Sequence, residues 1–283
     1  MIDTPFEFLN NKTDSLSPLP LGGVGGRLLS WCVILASGEP LEHDIPVQLL
    51  QEAPYVVCCD SAILQCDWAD AVVGDGDSIP SWAREEYDDI FVQVDEQDDN
   101  DLTKATRFCL EKGFRRIVYL GATGRREDHT LGNISLLMRY AREFDIEPLM
   151  ATNYGWFVPG KPTPIPSQRG GGLKSHLQAQ KLTEIPPSPS GRDLKSHLHA
   201  QKLTEIPPSP SGGDGGRLFS SFPGQQVSLF NFGCTQLRTH GLRYDGYPFT
   251  SWWQGTLNEA TGDSFTIEAD GDYLVYRTYE AKR

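Results

Sequence analysis

Positive charge is what this sequence has least of: 25 Lys and Arg stand against 38 Asp and Glu, a formal net charge of −13. A nucleic-acid partner requires a dense basic face to meet phosphates, and no such cluster occurs, which excludes that class. Long apolar runs are missing too. No stretch approaches the roughly 18 residues that cross a bilayer, and the first residues lack a basic segment followed by an apolar one. A cytoplasmic protein with no membrane partner is therefore expected. Cysteine is present but unpatterned: Cys32, Cys58, Cys59, Cys66, Cys109 and Cys234 make no Cys-x-x-Cys pair and mostly lie inside apolar runs. That placement argues for buried, reduced thiols and against a zinc site or a disulfide frame. What is there, 283 residues with 39% hydrophobic content, suffices for two modest globular domains.

From Trp31 onward strand and helix alternate. Trp31–Ala36, Tyr55–Cys59, Asp67–Val73, Ile90–Val94 and Arg116–Leu120 read as strands, and helical segments fall near 45–51, 81–87, 100–112 and 128–143. Continuous apolar strands alternating with helices predict an α/β domain over residues 31–161, a mainly parallel sheet with helices on both faces. Beyond 216 the strands Gln226–Phe230, Leu237–Tyr244 and Phe265–Tyr276 follow one another without crossover helices. They predict a small antiparallel β-sandwich domain over 217–283, with Phe157-Val158 pairing to the strand near Val227.

Two stretches stand outside this pattern. Residues 1–30 carry a Gly/Pro-rich run that precedes a strand instead of following one, so they read as a flexible leader and not as a phosphate cradle. Between 162 and 216, Leu173–Asp193 recurs as Leu194–Asp214 with nineteen of twenty-one positions identical. Two copies ending in Pro-Pro-Ser-Pro-Ser-Gly cannot build a solenoid, so a low-complexity insertion is expected at a hairpin tip. Its histidines, His176, His197 and His199, read as solvated residues and not as metal ligands.

Chemistry concentrates at the carboxyl ends of the strands, where parallel sheets bind ligands. Asp60 follows one strand, and Gly74-Asp75-Gly76-Asp77-Ser78 follows the next. Carboxylates this close repel each other, and a shared hard dication such as Mg²⁺ relieves the repulsion; a solvated acidic turn is the plainer alternative. Asp95-Glu96-Gln97-Asp98-Asp99-Asn100-Asp101 precedes a helix and holds more acids than capping needs. Gly121-Ala122-Thr123-Gly124-Arg125-Arg126-Glu127-Asp128-His129 places flexible backbone and two guanidiniums at another helix N-terminus, a setting that favours phosphate. Acids for a cation facing donors for phosphate make a nucleoside-triphosphate site.

These segments, in this order and spacing, resemble the thiamine pyrophosphokinase family. The likeness rests on Gly74–Ser78, Gln97–Ala105 and Gly121–Asn133, and extends through Val227–Phe230, Thr239–Tyr244 and Asn258-Glu259. It implies Mg²⁺-dependent transfer of pyrophosphate from ATP to the hydroxyethyl group of thiamine, giving thiamine diphosphate and AMP, in a homodimer with sites between subunits. By position, Asp75, Asp77 and Asp101 would hold Mg²⁺, with Asp60, Gln97 and Lys104 nearby. Arg125, Asp128, His129 and Asn133 would shape the nucleotide and phosphate region, and Thr256 and Asn258 would contact thiamine. Either Asp128 or Asp101 would accept the alcohol proton. The chain departs from the family at Asp60-Ser61-Ala62, where Asp-Gly-Gly is usual, and at Leu257, which replaces a small polar residue. A Mg²⁺-dependent phosphohydrolase and a catalytically degenerate relative are the rival readings.

Overall fold

A computed structural model describes residues 31–96, 98–163 and 216–281. The expected leader, most of the expected repeat insertion and Gln97 lie outside the described residues. The first half alternates as the apolar runs dictate: β1 (Cys32–Leu35), α1 (Asp44–Glu52), β2 (Val56–Cys59), β3 (Ala71–Gly74), α2 (Ser81–Glu86), β4 (Phe91–Gln93), α3 (Asp101–Glu111), β5 (Arg116–Leu120) and α4 (Glu127–Glu143). Then come β6 (Glu147–Ala151), β7 (Gly155–Gly160), β8 (Arg217–Ser220), β9 (Gln225–Asn231), β10 (Leu237–His240), β11 (Asn258–Glu259), β12 (Ser264–Ala269) and β13 (Tyr273–Ala281).

Ten strands form one mixed sheet in the order β11-β9-β13-β7-β6-β5-β1-β2-β3-β4. β6 through β4 in that order are mutually parallel, and the remaining pairs are antiparallel. Alternate residues of each strand feed opposite faces. Val33, Leu35, Val56, Cys58 and Val72 pack with Leu49 of α1 and Ala83 of α2. Cys32, Ile34, Val57, Cys59 and Val73 pack on the other face with Leu102, Ala105 and Cys109 of α3 and Leu137 and Met138 of α4. Helices therefore cover both faces, and each fully buried large aliphatic side chain contributes about 1.5–3 kcal/mol. All six cysteines are buried and free, and among the described residues no helix is long and apolar enough to cross a membrane.

The expected β-sandwich is present, but one of its layers is the antiparallel end of the ten-stranded sheet. The other layer is a three-stranded sheet, β10-β12-β8. Val227, Leu229, Tyr273 and Val275 meet Phe219, Leu237, Phe265 and Ile267 between them. Two expectations are corrected. The stretch Phe265–Tyr276 is two strands in different sheets, split at Asp270-Gly271-Asp272. β7 and β9 do not pair, because β13 lies between them and bonds to both. The chain leaves the described fold at Thr163, whose N–H donates to Ala269 O at 2.8 Å. It re-enters at β8, where Arg217 pairs with Ile267, two residues away on the same strand.

Candidate active site

Strand β1 is flanked by β5 on one side and β2 on the other, so strand order reverses there and the carboxyl edge opens. Gly38 N–H donates to Gly121 O at 2.6 Å and Glu39 N–H to Thr123 O at 2.7 Å, which joins the loops after β1 and β5. Ser37 and Ser61 hydroxyls lie 3.0 Å apart across the next strand pair.

Beside this opening Asp60, Asp75 and Asp101 bring carboxylate oxygens within 4.8 Å of one another. Asp60 begins a 3₁₀ turn (Asp60–Gln65) directly after β2 and has φ +39°, a left-handed conformation uncommon outside glycine. Its Oδ1 accepts from Gly76 N–H at 3.2 Å, whereas Oδ2 is buried with no hydrogen-bond partner. Burial, reinforced by the charges of Asp101 and Asp75, pushes the Asp60 carboxyl up to about 6 despite the Gly76 bond. Asp75 leaves the end of β3 and accepts from Asp77 N–H at 3.1 Å. Asp101 opens α3, whose start is capped by Asn100 Oδ1 accepting from Thr103 N–H at 3.0 Å. Lys104, one turn along α3 and only 4% exposed, reaches Asp101 at 3.3 Å and Asp75 at 3.7 Å. Its burial works against the charge, but Asp101, Asp75 and Asp60 outweigh that and hold the ammonium above its ordinary range.

The structure brings two of the three expected acids, Asp75 and Asp101, together. Asp77 is exposed and stands outside the group, because the chain turns at Gly76 and sends the second acid of the motif away. Asp60 supplies the third carboxylate instead. Most of the acidic run before α3 is also accounted for without a cation. Asp95 accepts from Gln93, Glu96 pairs with Arg107, and Asp99 pairs with both Arg107 and Arg139. Only Asp101 of that run joins the group.

At the start of α4, Arg125 and His129 are exposed. Asp128 is engaged by Arg126 at 2.6 Å, and that bond holds its carboxyl below the usual range. Asn133 acts as a tie: its Nδ2 donates to Ala122 O at 2.7 Å, and its Oδ1 accepts from Asn100 at 3.5 Å. It thereby ties the glycine loop and the cap of α3 to α4. In the sandwich, Thr256 Oγ1 donates to Trp253 O at 2.7 Å. Asn258 is buried, donates to Tyr244 O at 2.7 Å and accepts from Tyr244 N–H at 3.0 Å. Its amide is used in fastening the turn. Around that turn Tyr244, Tyr247, Trp252, Trp253 and Leu257 are exposed, Trp253 by 75%.

Two sequence models of one family match this chain. "Thiamin pyrophosphokinase, catalytic domain" covers residues 47–147 and "Thiamin pyrophosphokinase, substrate-binding domain" covers 213–276, together more than half of the chain. Over 125 residues the chain is 31% identical to Thiamin pyrophosphokinase 1 of Caenorhabditis elegans, a match spanning 39% of this chain and 51%, about half, of that relative. The fold is similar to that of thiamine pyrophosphokinase from Bacillus subtilis, with TM-score 0.58 and 18% identity over 89% of this chain and 100% of the other. It is similar too to the enzyme from Candida albicans, with TM-score 0.59 and 13% identity over 91% and 95%. These identities attest the fold, and the two sequence models span both Asp60–Asn133 and the Thr256–Asn258 turn. The chain belongs to the thiamin pyrophosphokinase family.

Proposed function

We propose that this chain transfers pyrophosphate from ATP to the hydroxyethyl group of thiamine, yielding thiamine diphosphate and AMP. The observation that carries the reading is the convergence of Asp60, Asp75 and Asp101 at the carboxyl edge, inside the stretch matched by the family's catalytic-domain model. An all-oxygen set with one buried, unpartnered carboxylate oxygen fits a hard dication such as Mg²⁺. Bound there, the ion would neutralise charge on the phosphates.

The chain's own residues do the positioning, which is most of what phosphoryl transfer requires. Backbone N–H groups of the Gly121–Gly124 loop, with Arg125 and His129 at the start of α4, face the phosphates. Lys104 keeps Asp75 and Asp101 in register, and Asp77 belongs to the rim of the same site. Asp128 is ion-paired with Arg126 and Asp101 with Lys104, and either carboxylate can accept the alcohol proton.

Thr256 and the exposed Trp253 offer thiamine a hydroxyl and an aromatic face. They lie beside β11, eight strand positions from β3 in the sheet order. At about 4.8 Å per strand that is roughly 30–40 Å, so the turn of one chain and the acids of the same chain cannot share one substrate. A homodimer that sets the turn of one copy over the acids of the other closes the site, and it covers the exposed aromatics. The test is AMP release measured with and without thiamine. Transfer requires that AMP appear with thiamine and match thiamine diphosphate; thiamine-independent release makes the chain a phosphohydrolase, and none at all makes it a degenerate relative.

A further inference from the structure

Arg84 of α2 is fixed beside the acid group by contacts that leave its charge uncompensated. The guanidinium stacks on Phe91, Cζ lying 3.6 Å from the ring centroid, and Nη2 donates to Gln93 Oε1 at 2.8 Å. Gln93 is itself held, its Nε2 donating to Asp95 Oδ1 at 2.6 Å. Nη1 lies against Gly76, where an added Cβ would overlap it. Gly76 has φ +84°, and its N–H is the one that binds Asp60. The guanidinium thus sits one residue from the place where the carboxylates converge.

Three other arginines near this edge are neutralised by acids: Arg107 by Glu96 and Asp99, Arg139 by Asp99 and Glu143, Arg126 by Asp128. Arg84 has a ring and a neutral amide as partners instead. A planar cation locked in place before a ligand arrives loses little freedom on binding one, and its fork matches paired phosphate oxygens. Anything polyanionic that approaches these acids needs such a charge, because the edge is otherwise rich in carboxylates.

We infer that Arg84 grips the phosphate chain of the nucleotide bound at Asp60, Asp75 and Asp101. The inference rests on the proposed pyrophosphoryl transfer, which supplies the polyphosphate. Arg84 binds substrate from the edge-strand side, opposite the Gly121–Arg125 loop across β1 and β2. Anchoring by Phe91 and Gln93 sets its direction.

The test uses the full chain with Arg84→Gln, which keeps a planar, hydrogen-bonding group without charge, and Gln93→Leu, which keeps the charge and removes the anchor. Inorganic tripolyphosphate with Mg²⁺ is titrated calorimetrically, and KM is measured separately for ATP and thiamine. Loss of a charge-assisted hydrogen bond weakens tripolyphosphate binding and raises the ATP KM by about tenfold or more in Arg84→Gln. The thiamine KM stays at its wild-type value, and Gln93→Leu shows a smaller rise for ATP alone. Unchanged tripolyphosphate affinity in Arg84→Gln, or equal losses for ATP and thiamine, overturns the inference. Should Arg84→Gln fail to fold, an ATP KM at the wild-type value in Gln93→Leu overturns it equally. A wild-type chain that releases no AMP with thiamine refutes the proposed reaction, while the tripolyphosphate titration still decides the role of Arg84.

Discussion

Replacing Gly74 by alanine would show that the acids are placed by packing. Gly74 ends β3 and is buried, and the Asp60 carboxylate fills the space where a Cβ would stand. An added Cβ overlaps Asp60 Oδ1 and Cγ and comes within 3.1 Å of Oδ2. The obstructing atoms are the end of a side chain, so the strand keeps its pairing of Val73 with Cys59 and of Gly74 with Gln93, and the carboxylate gives way. Its movement breaks the 3.2 Å bond from Gly76, which costs about 1–3 kcal/mol for a buried polar group. Keeping it near the cluster in an off-rotamer geometry costs roughly 0.5–1.5 kcal/mol more. Relief comes by withdrawing Asp60, which removes one of the three proposed ligands. The loss in divalent affinity is then at least the roughly 10–100-fold that losing an outer-shell partner costs. The assay is thiamine-dependent AMP release against Mg²⁺ concentration, paired with a thermal melt in chelator. A cooperative melt with a Mg²⁺ midpoint raised tenfold or more is expected; a wild-type midpoint in Gly74→Ala refutes the packing argument.

Three other outcomes follow from the same contacts. In chelator, Asp60 keeps its proton in the folded state up to about 6 while the unfolded chain loses it near 3.8. Stability therefore falls as pH rises through that window, by up to about 3 kcal/mol, and levels above it. Asp60→Asn should remove this slope, and urea melts from pH 4 to 7 that stay parallel for the two proteins contradict the assignment. Asn258→Ala strips Tyr244 of both backbone partners and should lower stability by about 2–3 kcal/mol in urea melts, with the thiamine KM rising more than the ATP KM; wild-type stability would show that the turn is held by something else. Excising residues 164–215 and joining Thr163 to Gly216 through a short Gly-Ser linker bridges two points on the same stretch of β12. Turnover and melting temperature should stay close to wild type, and a large gain in both identifies the segment as damaging to the enzyme.

The α/β half was legible because Val, Ile and Cys runs buried on both faces admit few other readings. β6 escaped notice because Pro148 interrupts a short run, although the strand pairs in parallel with β5. The union of both halves in one sheet was not legible, since insertion of β13 between β7 and β9 is a pairing between distant segments that no local pattern encodes. In the site, Asp75 and Asp101 stood out by their turn and helix contexts. That Asp77 stands apart from the acid group was not legible, because two acids at spacing two share a side in an extended chain, whereas the turn at Gly76 separates them. The acidic run before α3 looked excessive only because its counterions, Arg107 and Arg139, lie further along the chain on the helices that pack there.

Mn²⁺ titration of the chelator-stripped chain, followed by electron paramagnetic resonance, addresses the dication site itself. One bound ion per chain is expected in wild type and in Asp77→Asn, and none in Asp60→Asn, Asp75→Asn or Asp101→Asn. Loss of the ion in Asp77→Asn with retention in Asp60→Asn would contradict the site described.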